Sequence, residues 1–167
     1  MQLPQILRNM NLYVNGRSHA GVIGELMLPK LKLKTEDFQG GGMDAPIEIE
    51  VGMEKLEASA TIHEYDAATY AMFGLTDGNK VNITARGALK QGDKVVPITV
   101  VMHGSWNEID PGTWKVGQKV EQKISMNLEY YSLSINNLPV VLIDIPNMKR
   151  VIGGVDALAE IKAAIGL

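Results

Sequence analysis

The chain has no cysteine. That removes disulfides, thiolate nucleophiles and cysteine-held zinc, and it suits a protein made in a reducing cytosol. Aromatic residues are scarce at 5%, with two tryptophans and two phenylalanines. No apolar run is long enough to cross a bilayer: the strongest, Leu138 to Ile145, is broken by Pro139 and Asp144, so no membrane anchor is expected. The opening Met1-Gln2-Leu3-Pro4-Gln5-Ile6-Leu7-Arg8 lacks the basic start, long apolar stretch and cleavage residues of a secretory signal. Cations are not clustered. The 16 Lys and Arg are scattered among 19 Asp and Glu, for a net charge of -3, whereas a dedicated nucleic-acid grip needs a basic patch. What remains is 167 residues, 46% hydrophobic and 21% charged, enough for a single domain with a real core.

Chemical motifs are equally sparse. There is no nucleophile elbow, phosphate-binding loop or dinucleotide fingerprint. His19, His63 and His103 fall on different predicted elements, and no pair has metal-ligand spacing. Glu48, Glu50 and Glu54 share one face of a predicted strand with little cation beside them, which reads as a solvated acidic face before it reads as acid/base machinery. Trp106 and Trp114 flank the turn Asp110-Pro111-Gly112 and could stack a ligand or pack at an interface. No catalytic residue, metal site or cofactor is predicted.

Strand patterns dominate. Leu12-Tyr13-Val14 and Ala20-Gly21-Val22 flank Asn15-Gly16, a strong hairpin signal. Alternation from Val22 to Leu28 shifts phase after Pro29 to Leu31 and Leu33. Ile47 to Ile62 reads as one sixteen-residue strand with a phase slip, and Lys80 to Leu89 and Val95 to Trp106 as strands joined at Gln91-Gly92-Asp93. The cleanest alternation, Lys119 to Tyr130, points Val120, Gln122, Ile124, Met126, Leu128 and Tyr130 inward and switches face at Tyr131. Asn136-Asn137 then turns the chain into Val140 to Ile143. Helices are predicted over Glu64–Phe73, capped by Thr61 and Glu64, and over Asp156–Ile165, with Val155, Leu158, Ile161 and Ile165 on one stripe. Between Thr35 and Pro46 the pattern lapses into a glycine-rich loop that strands Phe38 and Met43.

Several strings occur in order along the chain: Asn11-Leu12-x-Val14-x-Gly16, Leu28-Pro29-Lys30-Leu31, Gly41-Gly42-Met43-Asp44-Ala45-Pro46, Glu108-Ile109-Asp110-Pro111-Gly112-x-Trp114-Lys115-x-Gly117 and Ile165-Gly166-Leu167. Together they resemble the major tail tube proteins of contractile-tailed phages and R-type pyocins, over essentially the whole chain, with Gly153 standing where asparagine is expected. The resemblance implies a mainly β fold: an antiparallel two-sheet barrel or sandwich with one packed helix and a C-terminal helix. It implies one tail tube domain, 1–167, with an N-terminal arm over about 1–10 and the glycine-rich loop over about 35–46.

It also implies a structural role in a virion tail or headless tail-like particle. Copies would form hexameric rings stacked into a tube, with tail sheath protein outside, tape measure protein or DNA inside, and a baseplate tube initiator at its start. Four strands from each of six copies would close a barrel about 50 Å across. On this resemblance Glu48, Glu50 and Glu54 are candidates for the lumen wall, in competition with the Lys119/Glu121/Lys123 face. Leu3, Ile6, Leu7, Phe38 and Met43 are candidates for contacts between subunits, since none has an evident home in a monomer. The related alternative is a ring component of a type VI secretion or extracellular contractile injection system.

Overall fold

The hairpin at Asn15-Gly16 starts the fold. The structure, a computed structural model, describes residues 1–74 and 80–167. Strands β1 (Ile6–Val14) and β2 (Arg17–Ser18) meet across Asn15 and Gly16, with φ of 46° and 83°. Both values are left-handed, as a tight hairpin turn requires. The Asn15 side chain is then used again, its Oδ1 accepting from the Asn82 amide on the next strand over.

The other strands are β3 (Ile23–Met27), β4 (Leu33–Phe38), β5 (Ile47–Met53), β6 (Glu57–Ile62), β7 (Val81–Gln91), β8 (Lys94–Asp110), β9 (Gln122–Ile135), β10 (Leu138–Asp144), β11 (Lys149–Ile152) and β12 (Val155–Asp156). Of these twelve strands, all but β4 and β5 form one antiparallel sheet in the order β12-β11-β10-β9-β8-β7-β1-β2, with β6 also paired to β9 and β3 to β6. Because the first half of β9 is paired on both sides, the run β1-β7-β8-β9-β6-β3 curls round into a barrel. Its seam lies where β1 approaches β3 without ladder hydrogen bonds. Leu12, Ile83, Met102, Ile124 and Leu56 fill the interior and are essentially inaccessible. Each such side chain contributes about 1.5–3 kcal/mol of burial, so strand alternation here follows directly from which side is dry.

The second half of β9 leaves the barrel and pairs with β10, after a bulge where Gly104 and Leu128 give way to His103 and Tyr130. The inward phase does shift to Tyr131, and this bulge is its cause, but Tyr130, expected inward, is turned to the outer face beside His103. The expected beginning at Lys119 does not hold: the ladder starts at Gln122.

Two expectations fail for instructive reasons. Ile47–Ile62 is not one strand. It breaks at 54–56, and its halves join different sheets, β5 pairing only with β4 and β6 with β3 and β9. The phase slip at Lys55 marked this corner. The pattern lapse at 35–46 is likewise half strand: Leu33–Phe38 pairs with Ile47–Met53 in a two-stranded ribbon. Neither strand of that ribbon buries a face in the barrel: β5 still alternates, Ile47, Ile49 and Val51 with Glu48, Glu50 and Gly52, whereas Leu33–Phe38 shows no period and only that strand goes unread.

The helices are shorter than expected. α1 (Ala67–Ala71) is capped by Asp66, whose carboxylate accepts from the Ala68 amide, rather than by Thr61. It is pinned over β8, where Phe73 bridges Trp106 and the Gly74 amide donates to the Trp106 carbonyl. α2 (Ala159–Ala164) lies at the surface beyond β12, with Val155, Ile161 and Ile165 exposed and Leu158 half-buried.

Candidate assembly surfaces

The outer face of the central sheet is built from the residues that alternate with the core. Across β1, β7, β8 and β9, register places Asn11, Arg86, Thr99 and Ser134 in one row and Tyr13, Thr84, Val101 and Ser132 in the next. Hydroxyls and amides dominate this face. His103 stacks on Tyr130 with ring centroids 4.8 Å apart, and Lys80 bridges Glu129 at 2.8 Å and the Ser105 hydroxyl at 3.2 Å. In these two rows Arg86 is the charged side chain among hydroxyls, an amide, Tyr13 and Val101.

The three glutamates sit elsewhere. Glu48 lies directly across the ribbon from Asp37, and Glu50, two residues on, is held by Arg150 of β11. Glu54 falls just past β5, where its amide donates to the Lys32 carbonyl. The structure keeps them on one segment but off the ten-stranded sheet. Lys119 and Glu121 lie in the loop before β9, while Lys123 is on the strand itself.

At the ribbon tip Phe38 is 52% exposed, and its ring stands over Gly40. Met43 closes the turn: its amide donates to the Gly40 carbonyl and its sulfur accepts from the Gly40 amide. Leu3, Ile6 and Leu7 are also exposed. Only 1–5 precede the first strand, since Ile6 and Leu7 already pair with Lys90 and Leu89, and the Leu3 carbonyl accepts from the Gln91 amide side chain.

Three features escaped the sequence reading. Among the described residues, the ladder of β1 over Ile6–Met10 is made to β7 alone, because β2 reaches only Tyr13 and Val14. At the other end of the sheet, exposed Leu138, Ile152, Val155, Ile161, Ile165 and Leu167 crowd the β10–β12 edge and α2. The two tryptophans part company: Trp106 is 2% exposed inside the barrel and Trp114 80% exposed on the 111–121 loop. Trp106 keeps the inward phase of Val96, Val100 and Met102 along β8, whereas Trp114 lies past the Asp110-Pro111-Gly112 turn.

Chemistry is thin by comparison. A groove of about 650 Å³ lined by Thr61, Asp110, Gly112, Thr113, Gln118, Lys119, Glu121 and Lys123 holds acids and lysines in equal number. Among the described residues no three His, Asp or Glu gather as metal ligands.

A small barrel with a filled interior, a bare ribbon, an open strand edge and apolar patches at both ends of its sheet is a subunit shaped for other chains. Residues 4–166 match the family model for phage tail tube protein FII, and the chain belongs to that family. It is 33% identical over 172 residues to the tail tube protein of Escherichia phage P2, covering 100% of both chains. It is 32% identical over 149 residues to the major tail tube protein of Serratia phage KSP20, covering 88% of this chain and 86% of that one. The fold recurs in a sheath–tube complex of an extracellular contractile injection system, at TM-score 0.61 and 9% identity, covering 78% of this chain and 91% of that one. It recurs again in an anti-feeding prophage baseplate, at TM-score 0.57 and 12% identity, covering 83% and 100%.

Proposed function

We propose that six copies close into a ring and that rings stack into the inner tube of a contractile tail, serving as a DNA conduit or a membrane-piercing rod with no catalytic step. The observation that carries this is a sheet with a polar outer face and apolar, incompletely paired ends, in a chain of a tail tube family. Around the ring, the β1 edge with Ile6 and Leu7 would meet the β10–β12 end of the next copy, removing the exposed edge. Between rings, Phe38 and Met43 at the ribbon tip are the contacts.

The lumen wall, on this reading, is the face carrying Asn11, Arg86, Thr99, Ser132 and Ser134. Its hydroxyls and amides lack the dense cation array that would hold phosphate. Glu48, Glu50 and Glu54 then belong to the ribbon, because a wall needs a continuous sheet and Glu50 is already engaged by Arg150. Sheath protein would surround the tube, tape measure protein or DNA would occupy it, and a baseplate initiator would start it. Negative-stain microscopy of the purified chain tests the reading. Rings or hollow tubes of uniform diameter are expected; a chain that stays monomeric with tail initiator proteins present overturns it.

A further inference from the structure

The ribbon and the 111–121 loop lie at opposite ends of the strands. The loop joins the end of β8 to the start of β9. The ribbon leaves the barrel the other way. The Leu56 carbonyl accepts from the Leu128 amide, whereas Glu50, six residues earlier, reaches Arg150. Arg150 pairs with Ile143, and Ile143 with Tyr131. Going from Leu56 to Glu50 thus follows β9 from Leu128 toward Tyr131, away from the loop, and the Gly40–Met43 turn lies farther out. Head-to-tail stacking brings two such ends together, since it joins two different surfaces of one chain.

Their chemistry is complementary. From Pro111 to Glu121 the loop carries Lys115 and Lys119 against one acid, Glu121, beside exposed Trp114 and Val116. Its tryptophan is braced outward: the indole nitrogen donates to the Tyr65 hydroxyl at 2.9 Å, and that hydroxyl donates to the Pro111 carbonyl. Between Leu33 and Met53 the ribbon carries five carboxylates and a single lysine. Phe38, Ile47 and Ile49, all exposed, share one of its faces with Glu36, and exposed Val51 follows at the bulge. On the other face Asp37 and Glu48 oppose each other directly, and neither has an ion pair among the described residues. Like charges placed so are unfavourable in an isolated ribbon and call for a cation from outside.

We infer that the 111–121 loop of one copy receives the β4–β5 ribbon of the copy stacked on it. Trp114 and Val116 cover the apolar face around Phe38 and Ile47, and Lys115 and Lys119 bracket the ribbon to reach its carboxylates. The pairing rests on the stacked-ring reading and names the receptor for a ribbon that is otherwise bare.

Two charge-reversed chains test it, Lys115→Glu/Lys119→Glu and Asp37→Lys/Glu48→Lys, each checked for a wild-type melting profile. Either alone should raise the concentration needed for tube growth at least about tenfold while still forming rings, because the interface then places like charges together. An equimolar mixture should grow tubes again, since each ring then meets an opposite charge above and below. Variants that grow tubes like the wild type, or a mixture no better than its components, overturn the pairing. A wild-type chain that forms no tubes with initiator present sinks the stacking reading itself. As a second readout, Trp114 emission in a Trp106→Phe chain should shift to the blue on tube formation; unchanged emission also overturns the pairing.

Discussion

Gly104 on β8 lies flat against Asn127 on β9, with no room for a β-carbon before the Asn127 carbonyl oxygen. The contact falls at the bulge where β9 stops pairing with β6 and begins its run toward β10. Gly104→Ala would have to push two backbones apart, and overpacking of this kind costs about 2 kcal/mol. The melting temperature should drop by roughly 4–8 °C for a chain of this size. An unchanged melting curve would show that the sheet yields freely here.

Gln122 occupies an inward position of β9, opposite Ile62, and is 0% exposed, and neither amide atom has a hydrogen-bond partner among the described residues. A buried amide without partners loses its hydration and gains nothing in return. Gln122→Met keeps the shape and removes the polar atoms, so it should stabilise the subunit by about 1–2 kcal/mol in denaturant unfolding. Loss of stability would mean that the amide is satisfied after all.

Asp156 organises the C-terminal turn. Its carboxylate accepts from the Leu158 and Arg150 amides, and these two bonds, with nearby Lys149 and Lys162, outweigh partial burial and hold its pKa below the ordinary 3.8. A depressed carboxylate contributes stability above its unfolded pKa and loses it as pH falls through the folded value. Asp156→Asn keeps an acceptor but removes the charge. The variant should melt lower than wild type at neutral pH, and the gap should close as pH drops below 3.8. A gap that persists in acid would locate the effect in geometry rather than charge.

How much of this was legible depends on what the chain itself buries. Ile124, Met126 and Leu128 advertise β9 because one side of that strand is dry, and Asn15-Gly16 and Asn136-Asn137 advertise turns because both residues of each adopt positive φ. Of the ribbon, β5 was legible through its alternation of Ile47, Ile49 and Val51 with Glu48 and Glu50, whereas β4 was not, because Leu33–Phe38 is exposed along its whole length and carries no period. Its stranded Phe38 was still visible as a residue without a home. Glu50 and Arg150 lie 100 residues apart, and no local pattern announces a pair at that separation. Asp66 and not Thr61 caps the helix, and the same carboxylate meets the Arg17 guanidinium at 2.7 Å from a different part of the chain. Strand existence followed from local burial; strand partnership and surface use did not.

The assignment of the lumen wall can be separated from the rest with single cysteines, since the chain has none of its own. Arg86 is exposed at the centre of the polar sheet face, and Glu48 is exposed on the ribbon. A small maleimide should label Arg86→Cys and Glu48→Cys in free subunits alike. A maleimide carried on a protein too wide for the channel should fail on intact tubes of Arg86→Cys, because a wall residue faces a bore only a few tens of ångströms across. Dissolving the tubes should restore labelling by the wide reagent. Full labelling of Arg86→Cys on intact tubes would take the sheet face out of the lumen. Protection of Glu48→Cys alone, with Arg86→Cys open, would return the wall to the glutamates and point the polar sheet face toward the sheath.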